Sequence, residues 1–315
     1  MNQYKFNLFN RNPILTFCKM CKKLLLLVNP YSGTGKSLAA SEYLKKQLDN
    51  YDYTTIVSEY RGYFIHFLQS EDLTTYEKII VFGGDGTMHE ICNALAEKTS
   101  LPPILLFPCG GGKALNHDLK NLDWDSSLAK FRQNNIKHID IFKATFPAAP
   151  APEQMSYGFN IIGWGLVSDI NKTAEQLRWL GGLRYSVGAI FHIFRNPSFK
   201  ATVTVDDEVF TGDFSFVLAC NTQHTGKAMK IAPLAVLDDG LLDVLVIKHV
   251  SFFHLLRLFP LIFSGRHIHS PLVVYRKARK FNIDADPIML VIDGETKGQS
   301  PLQVEIVGNR LPLVV

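Results

Sequence analysis

The sequence predicts an α/β protein in two parts: a parallel sheet wrapped by helices, followed by an antiparallel β-sandwich. Three observations carry this expectation. Apolar strand-like runs at residues 24–28, 53–58, 79–82 and 104–107 alternate with helix-patterned stretches, the order a parallel sheet requires. Three of these runs end in glycine-rich loops, and ligands of such sheets gather at the carboxyl ends of the strands. From residue 139 onward the texture changes to short strand-like runs separated by turn residues, with few helices between them. The boundaries drawn from this are an extension over 1–21, an α/β domain over 22–136 and a sandwich over 137–315.

Taken in order, residues 24–28 form a wholly apolar strand that runs into Asn29-Pro30-Tyr31-Ser32-Gly33-Thr34-Gly35-Lys36-Ser37. A helix follows, with Leu38, Tyr43, Leu44 and Leu48 expected near one face. Strand, glycine turn and helix make a phosphate cradle. Gly35-Lys36-Ser37 would close a Walker A loop, but Pro30 occupies that loop's first glycine. With its fixed φ and no N–H, proline cannot replace it. Residues 53–58 read as the second strand and 62–69 as a helix with Phe64, Phe67 and Leu68 inward.

The third strand leads into Gly83-Gly84-Asp85-Gly86-Thr87, with Thr87 a candidate N-cap and Glu90 its capping-box partner. One carboxylate, Asp85, sits between glycines at a helix start, where free N–H groups and the helix dipole suit a phosphate. A tight turn with a solvated acid is the plainer reading of those residues. The fourth strand ends in Pro108-Cys109-Gly110-Gly111-Gly112-Lys113. One glycine loop is weak evidence; three on one rim are harder to explain as turns alone.

In the second half, strands are expected at 139–145, 201–205, 214–220, 242–248, 287–292 and 302–307, with turns at Asp206-Asp207, Asp238-Asp239-Gly240, Asp293-Gly294 and Gly308-Asn309. Helices are expected over 169–180 and 186–194, and residues 146–152 form a Pro/Ala loop.

The composition is that of a globular protein, 47% hydrophobic and 20% charged. A net charge of +4 without a dense basic stripe argues against a nucleic-acid partner. No run reaches about 18 apolar residues, so a spanning helix is not expected. The apolar segment 251–263 is broken by His254, Arg257 and Pro260. Five cysteines and no secretory signal point to a reducing compartment and no disulfide framework. Cys18 and Cys21 form one C-x-x-C pair without a second, and His267 and His269 read as surface loop histidines rather than metal ligands.

These motifs together resemble the diacylglycerol kinase catalytic-domain family, which includes sphingosine, ceramide and bacterial lipid kinases. The resemblance runs from residue 24 to the C-terminus. It rests on Asn29-Pro30 with its glycines, on Gly83–Thr87 with Glu90, on Pro108 with Gly110–Gly112, on Gly163-Trp164-Gly165 through Asp169, on Asp239-Gly240 through Asp243 and on Asp293-Gly294-Glu295. The segment 175–185, with Arg178 and Arg184, looks closest to the sphingosine and ceramide branch.

The resemblance implies an ATP site in a cleft between the two domains and phosphoryl transfer to a lipid hydroxyl at a membrane surface, by a cytoplasmic, peripherally associated enzyme. It implies that Asn29, Ser32, Gly33, Gly35, Lys36, Gly83, Gly84, Gly86, Thr87, Glu90, Gly110, Gly111, Gly112, Lys113, Arg178, Arg184 and Gly294 bind the nucleotide. Asp85 would take the hydroxyl proton, Asp293 and Glu295 would hold Mg²⁺, and Asp169 and Asn171 would meet the lipid. Three departures stand out. Lys113 replaces the family's usual Asn, Tyr63 its frequent His after the second strand, and Asn171 the acid that sphingosine kinases aim at the lipid ammonium. Soluble NAD kinase chemistry and a lipid-binding pseudokinase are the competing readings.

Overall fold

The computed structural model describes residues 23–33, 35–48, 51–110, 114–151, 153–226 and 229–315, and of Arg178 the backbone alone. The Cys18–Cys21 pair, Thr34, Gly111, Gly112 and Lys113 lie outside the described residues.

The first half alternates strand and helix: β1 (Lys23–Val28), α1 (Lys36–Lys45), β2 (Asp52–Val57), α2 (Tyr63–Ser70), β3 (Lys78–Gly83), α3 (Asp85–Leu95), β4 (Ile104–Pro108), α4 (Ala114–Asp118) and α5 (Trp124–Gln133). The strands run parallel in the order β4-β3-β1-β2. Both faces of this sheet are covered, which is why β1 reads as an unbroken apolar run. Leu25 and Leu27 pack on one side with α2 and α3, while Leu24, Leu26 and Val28 pack on the other with α1 and α5. On α1 the buried positions are Ser37, Ala40, Ser41 and Leu44, and Leu38 points outward at 44% exposure. The expected face was therefore rotated, because small residues let α1 lie close to the sheet.

The second half contains β5 (Ile136–Thr145), β6 (Met155–Gly158), β7 (Ile161–Gly165), α6 (Leu166–Gln176), α7 (Arg184–Arg195), β8 (Phe199–Val205), β9 (Glu208–Cys220), β10 (Leu242–Lys248), α8 (Phe252–Leu258), α9 (Leu261–Ser264), β11 (Val274–Ala278), β12 (Lys280–Ala285), β13 (Met289–Ile292), β14 (Glu295–Gln299) and β15 (Leu302–Val314). Every pairing among these strands is antiparallel. β15 is the seam between halves. It pairs with β5 along its length, then meets β4 in parallel at Leu313.

The Gly308-Asn309 turn expected there is instead a bulge within β15, where the register slips between Val307 and Leu311. The buried Asp140 of β5 makes the bulge possible by accepting the Asn309 N–H at 2.6 Å and the Gly240 N–H at 2.7 Å.

β9 and β10 have the property that shapes the site. Along them, alternate residues face opposite sides. Val217, Ala219, Val244 and Val246 enter the sandwich core beside Trp164 and Phe281, whereas Leu218, Cys220, Leu245 and Ile247 face the layer made by α7, α8 and α9. That second face is only partly filled.

Candidate active site

The three glycine loops meet at one point because β4, β3 and β1 are neighbours and all end on the same rim. Asn29 ties the loops after β1 and β3 together, and the Cys109 and Gly110 N–H groups donate to the Gly83 carbonyl to join the loop after β4. The Asn29 N–H donates to the Phe82 carbonyl (3.1 Å), Nδ2 donates to Thr87 Oγ1 (2.9 Å) and Oδ1 accepts the Tyr31 N–H (3.0 Å). The approach of the loops is backbone against backbone. A Cβ on Gly110 would lie 2.5 Å from Gly84 Cα, and one on Gly33, at φ +62°, would lie 1.8 Å from the Cys109 carbonyl oxygen. Only glycine fits at these contacts.

α3 begins at Asp85, three residues earlier than a Thr87 cap implies, after an extended Gly84. Thr87 is therefore inside the helix as the acceptor from Asn29 rather than its cap. Glu90 does not reach back to a capping box; its Oε1 accepts the Gly62 N–H at 2.8 Å and so holds the start of α2.

Asp85 is half-buried at the junction of the loops. Both its carboxylate oxygens accept the Ala114 N–H, at 3.1 and 3.3 Å. Burial raises its pKa to about 6; the Ala114 hydrogen bond opposes this, and the charge of Asp293 adds to it.

Across the cleft, the turn from β13 to β14 carries Asp293 and Glu295. Asp293 was expected to be a metal ligand, and its geometry is otherwise. Its Oδ2 meets His89 Nδ1 at 2.8 Å and accepts the Phe159 N–H at 3.2 Å; its Oδ1 accepts the N–H groups of Asn160 (2.9 Å) and Ile161 (3.1 Å). A carboxylate offers about four acceptor positions, and all four are taken. Asn93 Nδ2 lies against His89 Nε2, which leaves Nδ1 as the donor to Asp293. Glu295 is paired with Arg61. Among the described residues, no group of three or more His, Cys, Asp or Glu side chains is arranged to hold a metal ion. With its acceptor positions taken, Asp293 is not placed to ligate Mg²⁺ directly as expected, and it instead pins β6, β7 and α3 to its own turn.

Asn171 is buried, with Nδ2 3.1 Å from the Gly294 carbonyl and 3.4 Å from Thr296 Oγ1. It supports the same turn; an acid in its place would face the Gly294 carbonyl. Asp169 sits on the first turn of α6 but not in the cavity wall. Arg184 does line the cavity, 3.6 Å from Glu175 and 3.3 Å from the Tyr185 hydroxyl.

A single cavity of about 1090 Å³ runs through these groups. One end is the glycine rim, with Asn29, Ser32, Gly33, Gly84, Asp85, Gly86, Thr87, Glu90 and Gly110. Its middle carries Asn171, Arg184, Asp293, Gly294 and Glu295. The other end is apolar, between the open face of β9 and β10 and the helices, lined by Phe216, Leu218, Leu245, Ile247, Leu255 and Leu258. Gly35, Lys36 and Gly83 support the rim without lining it: Gly35 caps α1, Lys36 is exposed on its first turn, and Gly83 ends β3.

Several lining residues had not been singled out as site residues, notably Arg61, Glu175, Tyr185 and Asn160. His267 is a further correction. It is buried and lines the apolar end, bonded through Nε2 to the Ile231 carbonyl at 2.8 Å, and burial lowers its pKa. No sequence spacing connects His267 to β9 or β10, and none connects His89 to Asp293.

Comparison with known proteins bears on this arrangement. Residues 23–144 match the diacylglycerol kinase catalytic domain, and residues 160–315 match the YegS C-terminal NAD kinase beta sandwich-like domain. The chain is 25% identical to a diacylglycerol kinase of Bacillus subtilis over 290 residues, covering 89% of this chain and 92% of that one. It is also 25% identical to sphingosine kinase 2 of Arabidopsis thaliana over 328 residues, covering 88% of this chain and 67% of that one. The crystal structure of a diacylglycerol kinase from Bacillus anthracis superimposes with a TM-score of 0.69 at 20% identity, covering 93% of this chain and 96% of the other. That likeness shows the shared fold. The two matched domains follow one another along nearly all of the described chain, which thus carries a diacylglycerol kinase catalytic domain followed by its sandwich domain and is a kinase.

Proposed function

We propose that the protein transfers the γ-phosphate of ATP to the hydroxyl of a neutral membrane lipid. The observation that carries this reading is the continuity of the cavity: a backbone-lined rim, one carboxylate with a pKa near 6 and an apolar arm share one space.

The rim suits the nucleotide. Backbone N–H groups of the three loops would hold phosphate oxygens, and Arg184 and Arg61 supply positive charge in the middle of the cavity. In phosphoryl transfer a protein mainly orients the reactants and neutralises charge. Asp85 is the base. A carboxylate with a pKa near 6 is ionised at neutral pH yet basic enough to accept a hydroxyl proton as it is lost. Asp293 positions the opposite wall through its four hydrogen bonds. Among the described residues, the side chains present no three-residue ligand set of their own for magnesium.

The choice of a neutral lipid follows from the acids of the cavity. Glu90 is occupied by Gly62, Glu175 by Arg184, Asp293 by its four donors and Glu295 by Arg61. Asp85 alone has no cation or anchoring role assigned to it. Outside the described residues the sequence contains one acid, Asp49, in the α1–β2 connection. A sphingoid ammonium would find only Asp85 without a prior engagement, and pairing with it would take the base away from the hydroxyl proton, so the charge is better absent. A diacylglycerol, monoacylglycerol or ceramide carries no such charge. The apolar arm likewise disfavours a dinucleotide acceptor.

Access from a bilayer is supported by the helices that wall the arm. Phe191 and Phe194 on α7 and Phe253 on α8 are 52%, 60% and 68% exposed. The α7 and α8 aromatics touch, Phe194 and Phe252 having ring centroids 5.5 Å apart. Such a face fits peripheral insertion at the acyl boundary. Of the helices described, none is long and apolar enough to cross a membrane.

Transfer of labelled γ-phosphate to micellar diacylglycerol, monoacylglycerol, ceramide and sphingosine tests the reading. A labelled neutral lipid, with sphingosine the poorest acceptor, is expected. Preferential labelling of sphingosine would overturn the neutral-lipid part, and labelling of NAD alone would overturn the whole.

A further inference from the structure

α4 is a single turn, Ala114–Asp118, and both of its ends are engaged. At one end the Ala114 N–H donates to Asp85. At the other, Asp118 crosses to the second domain. Its Oδ1 meets His224 Nδ1 at 2.5 Å and its Oδ2 accepts the Gln223 N–H at 2.5 Å. The Asp118 side chain is 6% exposed, and the His117 ring lies beside His224 with centroids 5.6 Å apart.

The segment that holds Asp118 is itself fixed. Asn221 Nδ2 donates to the carbonyls of Asp140 (2.8 Å) and Phe159 (3.0 Å), and Thr222 Oγ1 donates to the His224 carbonyl at 2.9 Å. Directly after it, Thr225, Gly226 and Met229 line the cavity. A continuous tie therefore runs from the cavity wall through His224 and Gln223 to Asp118, along α4 to the Ala114 N–H and so to Asp85. At about 1.5 Å per residue, α4 spans only about 6 Å, too short to flex without losing its own hydrogen bonds.

We propose that Asp118 is a positioning residue for Asp85: by anchoring α4 to residues 223–224, it holds the Ala114 N–H against the base and couples the base to the cavity wall. This rests on the reading of Asp85 as the base. A carboxylate suits the task because its two oxygens take two donors at once, the His224 Nδ1–H and the Gln223 N–H. Leu115 in the core and the Asn121 N–H donated to the Asn116 carbonyl (2.8 Å) keep α4 attached to its own domain. Asp118 adds the cross-domain constraint.

The test compares wild type with Asp118→Ala, Asp118→Asn and His224→Ala in the full chain, measuring kcat, KM for ATP, thermal unfolding and the pH dependence of kcat. Small misplacements of reacting groups cost large factors in rate, so Asp118→Ala is expected to lower kcat about tenfold with KM for ATP changed less than about twofold. Its acid limb should move to higher pH, because the Ala114 hydrogen bond favours the ionised carboxylate. The other titratable groups that sense Asp85, Asp293 and Tyr185, are untouched by these substitutions. Asp118→Asn keeps one acceptor and should recover part of the rate. Folded variants with unchanged kcat and an unmoved acid limb would make Asp118 a plain interdomain tie and overturn the proposal. A wild type without Asp85-dependent transfer would remove the base reading and this proposal together, a result distinct from failure of the variants alone.

Discussion

The two ends of the cavity are built in opposite ways. The rim is made of backbone: three loops approach so closely that Gly33, Gly84 and Gly110 admit no side chain, and one asparagine ties two of them. The arm is made of space between side chains. Phe216, Leu218, Leu245 and Ile247 on the sheet face Leu255 and Leu258 on a helix, and any similar apolar residue would serve. A site made of backbone leaves a residue signature, because only glycine permits it. A site made of unfilled volume leaves none, because its walls use the same residues as a packed core.

Substitutions at four places sharpen this contrast. At the junction, Asp85→Asn should lower turnover by about 10²–10⁴-fold, the usual worth of a positioned base, in a phosphate-transfer assay. Its pH behaviour is a second readout. Wild-type kcat should fall as pH drops through about 6, where Asp85 takes up a proton. Because its folded pKa lies above the unfolded 3.8, ionising Asp85 costs stability as pH rises from about 4 to 6, and the cost persists above that. Asp85→Asn should therefore melt higher than wild type at pH 7 and lose that advantage near pH 4.

At the rim, Gly110→Ala drives a Cβ to 2.5 Å from Gly84 Cα, where backbone cannot yield. It should cost about 1–3 kcal/mol in denaturant unfolding and raise KM for ATP; an unchanged KM would show that the loops do not hold the nucleotide. In the arm, Ala189→Phe fills space on α7 that lines the cavity. It should lower kcat/KM for the lipid while leaving KM for ATP alone, and equal effects on both substrates would break the division into rim and arm. At the mouth, Phe253→Ser alters an exposed residue, so stability should change by about 0.5 kcal/mol or less. Sedimentation with vesicles should nevertheless weaken.

The legible parts of the molecule are those where local chemistry leaves little choice. The loops after β1, β3 and β4, the Asp293-Gly294 turn and the sandwich texture were read from turn residues and periodicity. β11 and β12 were missed because charges interrupt their alternation; Arg276 and Lys277 are exposed and spent on Glu208 and on Asp239 and Asp243. The hydrogen bonds of Asp293 and Asn171 and the burial of His267 were not legible for another reason. Asp293 and His89 are 204 residues apart in sequence, and Asn171 and Gly294 are 123 apart. Spacing along the chain cannot show that a carboxylate's lone pairs are already used. The same holds for Asp118 and His224, whose meeting depends on how the two halves dock.

The claim that the rim and arm form one active site with Asp85 between them is tested most directly by a crystal structure with a non-hydrolysable ATP analogue and a monoacylglycerol. The account predicts phosphates against the loops at Gly33, Gly84 and Gly110, an acyl chain among Leu218, Leu245 and Leu255, and the lipid hydroxyl within hydrogen-bonding distance of Asp85. A lipid seated outside the arm, or a hydroxyl held away from Asp85 with the nucleotide in place, would contradict it.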